Sequence, residues 1–162
     1  TDELGKPFGS KQLLEKVWVA NFIFTSCPSI CPALMQKMVE IRHRARNLKW
    51  MMNLVSFTVD PVHDTPERLN EYAKEHLKGF YDGKTWKFLT GPLETIDKVI
   101  IEGFKIAVER QPGKEDPSLF EITHGEKLVL VDQKGFIRGY YTADEEGIEK
   151  LLVDLSLVAN RY

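Results

Sequence analysis

Val17-Trp18-Val19-Ala20-Asn21-Phe22-Ile23-Phe24 runs directly into Thr25-Ser26-Cys27-Pro28-Ser29-Ile30-Cys31-Pro32, and this stretch decides the fold. Its first half is rich in β-branched and aromatic residues and free of Gly and Pro, which reads as a buried strand. After it, Leu34, Met38, Ile41, Ala45 and Leu48 recur at steps of three and four, the period of a helix with one apolar face. Cys27 and Cys31, the two cysteines of the chain, therefore fall on a strand-to-helix turn. The first backbone N–H groups of a helix are unpaired there and point outward. Their partial positive charge favours a thiolate, the form that attacks disulfides and binds metals.

Spacing sharpens this reading. Positions four apart on a helix have Cβ atoms ~5–6 Å apart, and a relaxed disulfide needs ~3.5–4.5 Å. A disulfide is feasible with slight adjustment, and a soft metal ion between two thiolates is equally feasible. A closed zinc site wants four ligands, which two cysteines do not supply. Two thiolates and one imidazole suit Cu(I). The plain alternative is a structural disulfide or a pair of inert core thiols.

The chain has 162 residues, 43% of them hydrophobic, which is enough to bury a core as one domain over 1–162. A net charge of −2 gives no electrostatic footprint for nucleic acid. The basic cluster Arg42, His43, Arg44 and Arg46 reads as the solvated face of the helix after Cys31. No run of ~18 apolar residues is present to span a membrane.

Outward from the cysteine turn, residues 1–16 are polar and punctuated by Gly5, Pro7 and Gly9. The helix after Cys31 is expected to reach about Asn47. A second strand, Met52 to Val59, ends at Asp60-Pro61. Thr65 is a natural N-cap and Pro66 fits the first helical position of the next helix. Leu69, Tyr72, Ala73 and Leu77 form its apolar stripe. Trp86-Lys87-Phe88-Leu89 reads as a third strand, followed after Gly91-Pro92 by a helix with Leu93, Ile96, Val99, Ile100 and Phe104 inward. Gln111 to Ser118 is a Pro-, Gly- and charge-rich surface excursion. Lys127–Asp132 and Phe136–Tyr141 flank Gln133-Lys134-Gly135 as a hairpin. Thr142-Ala143-Asp144-Glu145 has the spacing of a capping box ahead of a last helix with Ile148, Leu151, Leu152, Leu155 and Val158 buried. Strand-helix-strand crossovers followed by a hairpin and helix make a three-layer α/β/α sandwich with a mixed central sheet. Sites in such sheets form beyond the carboxyl ends of the parallel strands. Cys27 and Asp60 both lie there.

Cys27 and Cys31 after strand one, Asp60-Pro61-x-x-Asp64-Thr65-Pro66 after strand two and His124 before a late hairpin together resemble the SCO/SenC family. Val19 to Pro32 and Val129-Leu130-Val131-Asp132-Gln133-Lys134-Gly135 are similar to it as well. The resemblance implies a thioredoxin-like fold and copper held by Cys27, Cys31 and His124, as Cu(I) or also Cu(II). It implies a role in assembling the dinuclear copper centre of cytochrome c oxidase, as copper donor, as thiol reductant of that site, or both. The implied partners are the copper-site subunit of the oxidase, another copper chaperone or a thiol–disulfide reductase. The implied location is the periplasmic face of a bacterial inner membrane or the mitochondrial intermembrane space. Relatives are usually tethered by an N-terminal transmembrane helix that this chain does not contain. Thr123 stands before His124 where many relatives carry Asp.

Among the other histidines, His43 and His76 fall within charged helical stretches and read as solvated. His63 is the rival for the third ligand position, because its loop leaves strand two near the cysteines. Asp60 could support a ligand from behind or dock a partner, and equally could be turn chemistry of Asp-Pro. Met35 and Met38 are soft enough to bind copper, yet core packing is the better reading. Trp18 and Trp86 read as strand packing, and Trp50 has no assignment. A thiol–disulfide oxidoreductase using Cys27 and Cys31 as a redox pair is the competing function, with C-x-x-x-C spacing against it, since thioredoxin-like redox sites use C-x-x-C. A peroxidase is weaker, because Thr25 is two residues from Cys27 and no T-x-x-C arrangement exists.

Overall fold

A computed structural model describes residues 1–27, 30–109, 121–122 and 127–161. Pro28, Ser29, the excursion Gln111 to Ser118, and His124 lie outside the described residues. The elements run β1 (Val17–Ile23), α1 (Ile30–Arg44), β2 (Met52–Thr58), α2 (Pro66–Leu77), β3 (Trp86–Leu89), α3 (Leu93–Asp97), β4 (Val108–Glu109), β5 (Glu121–Ile122), β6 (Lys127–Val131), β7 (Ile137–Thr142) and α4 (Glu145–Ala159). The main sheet among the described residues has the order β3-β2-β1-β6-β7, and β4 and β5 pair separately.

The apolar runs dictate which strands lie inside. Every residue of β1 and β2 is buried, as expected of central strands covered on both faces. β1 and β2 pair in parallel from Val17↔Met52 to Ile23↔Thr58, and β3 continues the parallel set beside β2. β6 runs antiparallel to β1, with Trp18↔Val131 and Ala20↔Val129, and β7 closes the hairpin. The result is the expected mixed sheet. Side chains alternate between its faces. On one, Phe104 meets Trp18, Phe22 and Phe57 edge-on with ring centroids 5.9, 5.2 and 5.2 Å apart. On the other, Tyr72 of α2 meets Phe88 edge-on at 6.5 Å. Helices thus cover both faces.

Four local expectations change. α1 ends at Arg44 rather than near Asn47, because the chain tightens into a single turn over Arg46–Leu48 and reverses into β2. Leu93, the first residue of α3, is 40% exposed, and the helix widens further on, over Lys98–Gly103, where the Phe104 N–H bonds the Val99 carbonyl. Ile96, Ile100 and Phe104, at steps of four, face inward, and Leu93 does not. The cap of α4 is Asp144, whose carboxylate accepts from the Gly147 N–H at 2.7 Å; Thr142 still belongs to β7 and donates to Asp144. The polar opening segment buries Asp2 and Glu3 against the edge of β3, where Lys87 reaches Asp2 at 2.9 Å and the Phe88 N–H reaches Glu3 at 3.1 Å.

Candidate functional site

β1 delivers the chain to the carboxyl end of the sheet, and the Cys27 N–H bonds the Phe24 carbonyl at 3.1 Å to begin a tight turn. Four residues on, the Cys31 N–H points at Cys27 Sγ at 3.4 Å. Both cysteines are free and buried, 8% and 3% exposed. The helix start thus places a backbone donor on the Cys27 sulfur, as the spacing implies. At Cys31 the shift runs opposite to the expected lowering. Burial pushes its thiol up to about 12; the Phe24 backbone bond pulls the other way, and the neighbouring Cys27 adds to the rise. Desolvation overrides the helix terminus because the sulfur sits in the core rather than at the mouth of the turn. Any ligand that needs Cys31 as a thiolate must therefore displace a tightly held proton.

Asp64 holds this turn in place. It is fully buried and accepts from the Thr25 N–H at 3.1 Å, the Thr25 hydroxyl at 2.5 Å and the Thr58 hydroxyl at 2.6 Å. Arg68, one turn into α2, donates through Nε to the Thr25 hydroxyl at 2.6 Å and through Nη2 to Ser26 at 3.0 Å. The ends of β1, β2 and α2 thus meet two residues before Cys27. With its oxygens occupied by three donors, Asp64 has little left to offer a hard cation, whereas the two sulfurs suit a soft one.

Asp60 is 3% exposed and faces His63, whose Nδ1 lies 3.0 Å from each carboxylate oxygen. Its carbonyl takes the His63 and Asp64 N–H groups at 3.2 and 2.9 Å. Asp60 therefore combines turn chemistry with the orientation of an imidazole. His63 is 53% exposed at its side chain. Among the described residues, no three His, Cys, Asp or Glu side chains group to hold a metal ion, so His63 does not complete a set with the cysteines in this arrangement. Met35 and Met38 are fully buried in the core. His43 is exposed, while the His76 ring lies 4.3 Å from that of Tyr72. Trp18 and Trp86 are buried, and Trp50 is 75% exposed at the opposite end of the sheet. Lys127 begins β6 at the end of β1 that carries the cysteine turn, by the antiparallel register of the two strands.

A family model described as SCO1/SenC matches residues 1–159. The chain belongs to the SCO1/SenC family. A SCO1/SenC family lipoprotein from Bacillus anthracis str. Ames is 33% identical, with a TM-score of 0.84 over 99% of this chain and 91% of that one. BsSco, a member of the Sco family of cytochrome c oxidase assembly proteins in which a disulfide switch was identified, is 25% identical, with a TM-score of 0.80 over 100% of this chain and 91% of its own. Bradyrhizobium japonicum ScoI, whose structure has copper bound, shares the fold at 23% identity and a TM-score of 0.77, covering 98% of this chain and 94% of its own. The SCO1 protein homolog of Bacillus subtilis (strain 168) is 29% identical over 142 residues, 87% of this chain and 69% of its own length. The mitochondrial SCO1 homologs are covered over 50% and 45% of theirs. The fold is thioredoxin-like, as the resemblance implied.

Within this SCO1/SenC fold the sequence reading found the sulfur pair but missed how it is held. Thr25, Thr58 and Arg68 looked like ordinary turn, strand and helix-surface residues. The one usable signal was the pair of aspartates around Pro61, of which Asp64 rather than Asp60 reaches the cysteine turn.

Proposed function

We propose that this SCO1/SenC chain is a copper-binding metallochaperone, taking copper on Cys27, Cys31 and His124 and serving the dinuclear copper centre of cytochrome c oxidase. The observation that carries the reading is the convergence of two free, buried cysteines on one strand-to-helix turn, with the Cys31 N–H aimed at Cys27 Sγ at 3.4 Å. Two thiolates and an imidazole make a soft, low-coordinate set suited to Cu(I). Support for His124 comes from the family resemblance and from its place three residues before β6, which starts at the cysteine end of the sheet. Copper supplies the cargo; the chain supplies two sulfurs, which release their protons to solvent on binding, and a backbone donor that steadies one of them. The work fits the periplasmic face of a bacterial inner membrane or the mitochondrial intermembrane space, with the oxidase subunit that carries the copper site as partner. Asp60, through His63, offers that partner an oriented imidazole.

Competition with a Cu(I) chelator tests this reading. Replacing Cys27 or Cys31 by Ala should abolish tight binding, and His124→Ala should weaken it. No effect of His124→Ala together with a loss on His63→Ala would move the third ligand to His63. Retention of full affinity without either cysteine would end the metal reading.

A thiol–disulfide exchange role is favoured by the same two free sulfurs, since two cysteines four positions apart on one turn can close to a disulfide with slight adjustment. We expect diamide to remove two hydrogens from the protein by mass, abolish copper uptake, and be reversed by reductant. Equal copper binding by the oxidised form would uncouple the two chemistries.

A further inference from the structure

Trp50, which the sequence leaves without a role, stands 75% exposed on the turn before β2. Leu14 precedes β1 and is 47% exposed; Phe136 follows the Gln133-Lys134-Gly135 turn and is 62% exposed. The three loops meet at the end of the sheet opposite the cysteine turn. Register puts them there, since β1 and β2 begin with Val17 beside Met52, and β6 ends with Val131 beside Trp18. Backbone bonds tie them together: the Val17 N–H donates to the Met51 carbonyl and the Glu15 N–H to the Gln133 carbonyl, each at 3.0 Å. Glu15 holds a left-handed φ of 71° at this bend, a conformation that costs energy in a residue with a side chain. This end is a built surface of loop tips, not a frayed edge.

Its chemistry is apolar with a cationic rim. Leu14, Trp50 and Met51 border one concavity together with Lys16 and Lys134, and Glu15 is the one acid beside it among the described residues. Lys49 Nζ lies 4.8 Å from the centre of the Trp50 ring. The chain as a whole carries a net charge of −2, so this local excess of lysine runs against its average. Contiguous apolar surface rimmed by charge marks a docking site. Tryptophan settles at the headgroup level of a bilayer, and lysines near the surface gain from anionic lipid. We propose that this end of the molecule docks on an anionic lipid bilayer, with Trp50 as the interfacial anchor and Lys16, Lys49 and Lys134 against the headgroups. Loop tips gathered on one broad end suit a plane, whereas a bound peptide wants a sheet edge or a long groove. Docked this way, the cysteine turn lies a full strand length, roughly 20 Å, from the lipid. It stays on the aqueous side, open to a partner. The proposal does not depend on the copper reading.

Co-sedimentation of the chain with lipid vesicles tests it. The protein should bind phosphatidylcholine vesicles containing about one third phosphatidylglycerol, ignore pure phosphatidylcholine, and be released by salt. Trp18 and Trp86 are buried, so a blue shift of tryptophan emission on binding reports Trp50. Lys16→Gln and Lys49→Gln should each lower partitioning about fivefold. Trp50→Ser should remove the blue shift and most of the binding, with melting temperatures equal across the set. Absence of binding to the anionic vesicles, equal binding to both vesicle types, or binding that survives all three substitutions would overturn the proposal. A vesicle-free dimer, seen by analytical ultracentrifugation and dissolved by Trp50→Ser, would also overturn it, because the face would then belong to a second copy. A preference for polyglutamate over the anionic vesicles would give the face to an acidic protein instead.

Discussion

Asp64 shows how much one side chain can carry at the residue scale. It is fully buried and accepts from the Thr25 N–H, the Thr25 hydroxyl and the Thr58 hydroxyl. Removing it would strand the buried Thr58 hydroxyl and the half-buried N–H and hydroxyl of Thr25 at once, and a fully buried donor left unpaired costs about 1–3 kcal/mol. Relaxation and water entry recover part of that. Asp64→Ala should therefore destabilise the reduced protein by about 3 kcal/mol in urea unfolding, and Asp64→Asn by less, since the amide oxygen still accepts. A loss under about 1 kcal/mol for Asp64→Ala would mean that the cysteine turn is held by packing alone. Arg68 contributes less, because its guanidinium is half exposed and its charge is screened.

Elements here are specified by their ends more than by their middles. α2 begins where Thr65 accepts the Arg68 N–H at 3.2 Å and Pro66 occupies the first turn. α4 begins where Asp144 accepts the Gly147 N–H. Gly147 looks from sequence like a weak point, because glycine in a helix costs ~1 kcal/mol against alanine. The packing reverses that sign. A Cβ on Gly147 would lie 2.0 Å from the Thr142 carbonyl oxygen and 2.5 Å from its hydroxyl oxygen, so β7 and α4 could not keep their approach. Gly147→Ala should destabilise by about 2 kcal/mol, as overpacking does, despite its better helix propensity. An equal or raised urea midpoint would show that the β7–α4 junction can yield.

For the whole molecule, charge placement ties the edges of the sheet to its ends and makes stability depend on pH. Asp132 sits in the β6–β7 turn, where burial works to raise its pKa. The Phe136 N–H, the Arg138 guanidinium and the Lys134 N–H outweigh burial, so the carboxyl is held below its usual range. Asp2 behaves alike at the other edge: burial raises, while Lys87 and the N–H groups of Lys6 and Leu4 lower further. A carboxyl depressed in the folded state stabilises fully above its unfolded pKa of about 4 and loses that contribution as pH falls through the folded value. Urea midpoints should therefore hold steady down to about pH 4 and then drop. Asp132→Asn should start lower at neutral pH and lose less on acidification. If parent and variant lose equally below that point, Asp132 is not a source of the acid limb.

The amino-acid sequence by itself determined the strand, turn and helix around Cys27 and Cys31, the capped start of α2, the late hairpin, and the burial of Met35 and Met38. These are local matters of periodicity, capping residues and turn residues, so they are written in short windows of chain. Only the tertiary structure decided which polar residues are spent inside. Asn21 accepts from Ser56 at 2.6 Å, and Trp86 donates to the same Ser56 at 3.1 Å, across three strands. Glu3, on an opening stretch that reads as polar surface, takes the Tyr81 hydroxyl at 2.6 Å. Thr25, Thr58 and Asp64 meet because β1 and β2 align Ile23 with Thr58. Strand register is set by the sum of many weak contacts between distant segments. No single window of sequence encodes it, and the partners of a buried polar group follow from it.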